Sequence, residues 1–233
     1  MVEKTSIVKK IEKRKIQSLL YQAAEPDKVL RRATRIIKGT ATFEDRFLPD
    51  HQELVKLIDA LRSMACTIVF VTGVWDLIHI GHAEYIARGK KEAIKLYPDT
   101  DHMIVVVGVD TDEFTKRRKG PDRPVVPEDE RLRMLGHLRA VDILTLQYEE
   151  DQLFKIVPHD VRIISESTKD LPVLEKIQQQ CAHIVNLPPQ AETSTTARIR
   201  QLTFDGTAGL LLKIERGLNG FLKEVRDEIS KKQ

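Results

Sequence analysis

The sequence predicts an α/β protein: a doubly wound parallel sheet of about five strands, with extra helices at both ends of the chain. Three observations carry that reading. Short apolar runs recur from Cys66 onward, too continuous to alternate and too short for ordinary helices. Helical stretches separate these runs. A glycine-bearing turn, Gly73 to His82, directly follows the first run. A Rossmann-like sheet places its ligand there, at the carboxyl ends of its strands.

The core elements follow in chain order. Thr67 to Val71 is apolar and β-branched and predicts the first strand, followed by a helix over His82 to Leu96. Met103 to Val109 reads as a buried strand, Glu128 to Arg139 as a helix, and Ile143 to Leu146 as a strand. Val161 to Ile164 predicts a further strand, Val173 to Gln180 a helix, and His183 to Leu187 the last strand. Continuous apolar strands alternating with helices require a sheet covered on both faces. Residues 1–65 form a helical extension. Ile7, Ile11, Leu19 and Leu20 mark one helix, and Val29, Ile36 and Ile37 a second. Leu54, Leu57, Ile58 and Leu61 mark a third, with Asp50 as its N-cap. The core domain is expected over 66–204. A C-terminal extension over 205–233 contains an amphipathic helix from Gly209 to Lys232.

Composition narrows the function. With 41% hydrophobic and 31% charged residues among 233, the chain reads as an ordinary globular protein. A net charge of +3 is too mild to make nucleic acid the main partner, yet it leaves basic residues for a small polyanion. Cys66 and Cys181 form no CxxC or Cys/His pattern, so neither a disulfide framework nor a zinc site is expected. No run approaches the roughly 18 apolar residues of a membrane span. The first residues lack an apolar signal core, and cytoplasm is the expected compartment.

The chemistry concentrates in Gly73-Val74-Trp75-Asp76-Leu77-Ile78-His79-Ile80-Gly81-His82. A strand end, a glycine turn and a helix start offer free N–H groups and a helix dipole to an anion. His79 and His82 can donate hydrogen bonds to phosphate oxygens as charge builds, and Gly81 lets a ligand approach the backbone. In isolation such a string reads as two surface histidines. At the end of the first core strand it reads as a phosphate cradle, with Gly73, Val74, Trp75 and Gly81 beside the two imidazoles as candidate ligand contacts.

This stretch resembles the cytidylyltransferase-like branch of the HxGH nucleotidyltransferases, with Trp75 where phenylalanine is usual. The likeness continues through Val107 to Glu113, Lys119-Gly120, Arg123-Pro124-Val125, Glu130-Arg131, Arg139 to Asp142 and Ser194-Thr195-Thr196. It covers roughly residues 66–202. The middle section is most similar in wording to heptose-1-phosphate adenylyltransferase domains, then to glycerol-3-phosphate cytidylyltransferase.

The resemblance implies transfer of AMP or CMP from ATP or CTP to a small phosphorylated acceptor, with release of pyrophosphate. It implies a catalytic Lys119 on the triphosphate, a nucleotide contact from Arg131, and a grip on the departing phosphates from Ser194, Thr195 and Thr196. Mg²⁺ is implied as the counter-ion of those phosphates. Asp76, Arg118 and Glu166 are candidates for the acceptor side, although Lys116 to Lys119 also reads as a solvated charge run and Asp76 as a buttress of the turn. Ser165 to Asp170 and Pro189 to Thr193 depart from the usual wording, which points to an unusual acceptor and places CTP use in doubt. Rival readings are a silent nucleotide-binding regulator, a class I aminoacyl-tRNA synthetase fragment, and a nucleic-acid binder using the basic N-terminal helices. The apolar stripes before residue 65 must be buried against the core or a second subunit, and a homodimer is expected.

Overall fold

A computed structural model describes residues 27–166, 181–188, 214–216 and 218. The chain divides into two compact units, Met1–Gln190 and Ala191–Gln233. In the second unit, residues 214–216 and 218 are helical. The helices expected over Ile7 to Leu20 and Val173 to Gln180, and the rest of Gly209 to Lys232, lie outside the described residues.

The first unit holds a parallel sheet of five strands. These are β1 (Cys66–Gly73), β2 (His102–Asp110), β3 (Ile143–Gln147), β4 (Val161–Ser165) and β5 (His183–Leu187). Their order across the sheet is β3-β2-β1-β4-β5, and every pairing is parallel. The order reverses between β1 and β4, which makes that gap the topological switch point. The helices are α1 (27–37), α2 (Phe43–Arg46), α3 (His51–Ser63), α4 (Ile80–Leu96), α5 (Asp112–Lys119), α6 (Glu128–Gly136) and α7 (Gln152–Ile156).

Strand alternation sends successive side chains to opposite faces. Val69, Val71, Val105 and Val107 join Ile86 of α4 and Leu132 and Leu135 of α6 in one apolar cluster. Ile68, Phe70, Ile104, Val106 and Ile143 join Ala33 and Ile36 of α1 and Leu54, Leu57, Ile58 and Leu61 of α3 in another. The stripes of α1 and α3 are therefore buried against the sheet. Asp50 caps α3 as expected, its carboxylate accepting from the Gln52 and Glu53 N–H groups. Arg46 at the end of α2 donates to the carbonyls of Gly136, Val141 and Asp142, tying this layer to the far side of the sheet.

Some boundaries differ from the sequence pattern, each for a local reason. α4 begins at Ile80 because His79 caps it. α6 stops at Gly136, where His137 and Leu138 tighten onto the carbonyls three residues back and leave the helix. Asp112 to Lys119, read only as a motif and a charge run, is a helix. Thr111 caps it, with Asp112 and Glu113 in its first turn and a basic last turn, as the helix dipole favours.

Candidate active site

β1 ends at Gly73, and the turn after it is held in an unusual backbone shape. Trp75 and Leu77 have φ of +58° and +47°, a left-handed conformation that side chains other than glycine adopt at a cost. Two buried side chains hold the turn. The Trp75 indole N–H donates to the Gly108 carbonyl of β2 at 2.9 Å. Gly73 leaves room for that ring, since a Cβ there would sit 3.1 Å from Trp75 Cε2. The Asp76 carboxylate, 2% exposed, accepts from the Val125 and Val126 N–H groups at 3.0–3.1 Å. It also pairs with Arg123 at 3.0 Å.

The two histidines then cap α4 and each other. Gly81 N–H donates to His79 Nδ1 at 3.1 Å, and His79 N–H reaches His82 Nδ1 at 3.4 Å. A nitrogen that accepts carries no proton, so each neutral ring presents N–H at Nε2. The ring centroids are 4.1 Å apart, and the Trp75 edge meets His82 at 5.6 Å. Burial, chiefly, pushes the His82 pKa down to about 4; a proton on His79 would act in the same direction, as the Lys119 charge does, against the opposing pull of Asp76. His82 is thus a neutral donor at neutral pH.

Lys119, the last residue of α5, lies within electrostatic reach of His82 and Asp76. Partial desolvation, then Arg123 and Arg118, hold its pKa below the usual ammonium value. Asp110 and Asp76 pull the other way, so Lys119 sits among charges of both signs beside the two imidazoles.

Residues 70–152 match a family model described as cytidylyltransferase-like. This part of the chain belongs to that family.

Bifunctional protein HldE of a Nitratiruptor species is 33% identical over 122 residues, which is 51% of this chain and 24% of that protein. Bifunctional protein HldE of Yersinia enterocolitica is 37% identical over 102 residues, 44% of this chain and 19% of that protein. The alignments thus reach about a quarter or less of the length of these curated relatives. A lipopolysaccharide core biosynthesis protein from Thermoplasma volcanium, known from its crystal structure, is 30% identical, with a TM-score of 0.41. That match covers 52% of this chain and 95% of the other.

Within the cytidylyltransferase-like domain, the other expected residues occupy two kinds of place. Val74 and Trp75 are buried, and Trp75 joins the core cluster on the α4 and α6 face of the sheet. Arg131, expected at a phosphate, is 0% exposed. Its guanidinium is spent on the Val74 carbonyl, the Val126 carbonyl and the Asp112 carboxylate. It braces the β1 turn against the start of α6 and leaves the site's interior to other cations. Arg118 pairs with buried Asp110 at 2.9 Å and lies over the Phe114 ring. Glu166 follows β4, its N–H donating to the Leu187 carbonyl. Ser194, Thr195 and Thr196 lie outside the described residues.

The sequence reading passed over two arginines. Arg123 sits in a quoted motif, and only the structure brings it to Asp76. Arg162 is the single charged residue inside the run Val161 to Ile164. That interruption was its visible signal.

Proposed function

We propose that the chain is a cytoplasmic nucleotidyltransferase that moves a nucleoside monophosphate from an NTP to a small phosphorylated acceptor. An acceptor phosphate oxygen attacks the α-phosphorus, forming the new O–P bond as the bond to pyrophosphate breaks in line. The attacking oxygen already carries negative charge, so no general base is required. Catalysis then rests on positioning and on neutralising charge. His79 and His82 donate from Nε2 to the α-phosphate oxygens, Lys119 offsets their charge, and the backbone at Gly73 and Gly81 admits the phosphates. For Ser194, Thr195 and Thr196, outside the described residues, a role at the leaving pyrophosphate rests on the family resemblance alone. Asp76 and Arg131 act as positioning residues that fix the turn and the 123–127 segment.

The observation that carries this reading is the mutual capping of His79 and His82, which aligns two Nε2–H donors beside Lys119 at the carboxyl end of β1. Among the described residues no group of three or more His, Cys, Asp or Glu is arranged to hold a metal ion. A dedicated protein cage for Mg²⁺ does not fit these residues. Mg²⁺, implied by the resemblance, would enter as the counter-ion of the substrate triphosphate and would offset its charge.

ATP is the narrow first choice of donor, from the resemblance of the middle section to adenylyltransferase domains. Pyrophosphate release from ATP and from CTP, each with heptose 1-phosphate, glycerol 3-phosphate, phosphocholine and phosphoethanolamine, tests the proposal. Release dependent on one acceptor is expected. Release with none of the pairs counts against transfer, and efficient use of CTP with glycerol 3-phosphate counts against ATP and an unusual acceptor. A homodimer is part of the proposal, supported by exposed Ile80 and Met134, and light scattering at micromolar concentration checks it.

A further inference from the structure

Among the described residues the guanidinium of Arg162 forms no ion pair with a carboxylate, and Asp151 is the one carboxylate within electrostatic reach of it. Arg162 lies on β4 in register with Phe70 of β1, yet its Nη2 donates at 2.8 Å to Thr72 Oγ1. The side chain therefore climbs about two residue levels, toward the carboxyl edge of the sheet. It does so between β1 and β4, at the switch point. Phe70 lies 4.4 Å below the guanidinium carbon and Phe154 of α7 is 5.5 Å away, while Tyr85 of α4 is within electrostatic reach. Nε and Nη1 are shut off from water, and neither has a hydrogen-bond partner among the described residues. No carboxylate of the described residues is recorded as its ion-pair partner, in contrast to Arg118, Arg123 and Arg131.

Burial lowers the Arg162 pKa to about 10, so the group remains a cation at neutral pH. Aromatic faces offset part of the cost of holding a cation away from water, but they do not satisfy N–H donors. A methionine of similar reach would fill the space without that cost. Idle donors on a buried arginine at a sheet's switch point therefore call for a partner that is present only part of the time. The fork of a guanidinium matches phosphate oxygens. Arg162 as a whole is only partly buried, so an anion at the carboxyl edge can meet it, and rotation about its stem brings the idle donors into line.

We infer that Arg162, anchored by Thr72, binds the phosphate of the acceptor, on the β4 side of β1 and apart from the triphosphate contacts of Lys119. This inference rests on the transferase reading for the identity of the ligand, but the anion site can be measured without turnover.

Thermal melting of the full chain is followed at constant ionic strength as inorganic phosphate replaces chloride. Phosphate should raise the melting temperature of the wild type and of Lys119→Ala, and should raise that of Arg162→Met distinctly less. Without phosphate, Arg162→Met should melt at or above the wild type. Arg162→Lys, which keeps the charge and loses the fork, should raise the acceptor KM about tenfold or more. Its NTP affinity, read from the single tryptophan, should stay within about twofold of wild type on this account. A phosphate response undiminished in Arg162→Met, or missing from the wild type, overturns the anion site. A response that tracks Arg162 without any nucleotidyl transfer overturns the transferase reading alone.

Discussion

The indole of Trp75 passes beside Gly73 to the Gly108 carbonyl, and its edge supports the His82 ring. One side chain thereby links the strained turn, the neighbouring strand and a proposed donor. Replacing His79 or His82 with alanine should lower turnover on the order of 100-fold or more, as loss of a transition-state donor does. NTP affinity should change far less, and steady-state kinetics beside direct NTP binding separates the two effects. His82 also links stability to pH, with buried His159, whose folded pKa is likewise about 4. Between pH 4 and 6.5 the unfolded imidazoles hold protons that the folded ones release. Stability therefore rises with pH across that window, stands fully above 6.5, and is lost as pH falls toward 4. Calorimetry should show the melting temperature dropping below pH 6.5, with a shallower drop in His159→Gln; an unchanged slope would exclude His159 as a source. The histidines were legible in the sequence because their chemistry sits in a short contiguous string. Asp76 was legible as a buttress of the turn, but its partners and the bracing role of Arg131 were not, because they depend on the chain returning about 50 residues later to place Val125 and Val126 over the turn.

Helix α4 begins with the histidine cap and then passes close over β4, and Gly89 is where the two meet. A Cβ at that position would lie 2.2 Å from Ile163 Cδ1 and 2.8 Å from Cγ1. Helix propensity alone favours Gly89→Ala by about 1 kcal/mol. Overpacking opposes it by about 1–3 kcal/mol, because two atoms of one branched side chain must move together. Gly89→Ala should therefore destabilise the protein, measured as a lower urea midpoint at unchanged slope; a higher midpoint would show that Ile163 repacks freely. Elements with strong periodicity were readable from sequence. The four buried residues of α3 and its Asp50 cap fall where the pattern put them, and β5 spans the predicted His183–Leu187. α5 escaped because it buries only Phe114 and Thr115 of its eight residues, which leaves no apolar stripe to find. α7 has five residues, too few for a 3.6-residue period to declare itself.

At the scale of the first unit, the sheet is covered by α4 and α6 on one face and by α1 and α3 on the other. Periodicity showed that the N-terminal helices had to bury a stripe. It could not show where, since the same stripe would fit a second subunit equally well. The structure puts Leu54, Leu57, Ile58 and Leu61 against Ile68, Phe70, Ile104, Val106 and Ile143. A doubly wound sheet buried on both faces cannot spare one cover, because its strands carry apolar side chains on each side. Leu57→Ala should accordingly cost about 2–5 kcal/mol, the range for a leucine lost from a packed core. Removing residues 1–64 should do more, exposing the Phe70 face and withdrawing the Arg46 bonds to Gly136, Val141 and Asp142. The expected product binds a hydrophobic dye, retains far-ultraviolet dichroism and melts without a cooperative transition. Its histidine turn would remain in the sequence but lose the rigid strand that positions it, so NTP binding should fall as well. A truncated chain that melts cooperatively and binds NTP with wild-type affinity would show that the helices are an accessory to the fold, and that the sheet finds its second cover elsewhere.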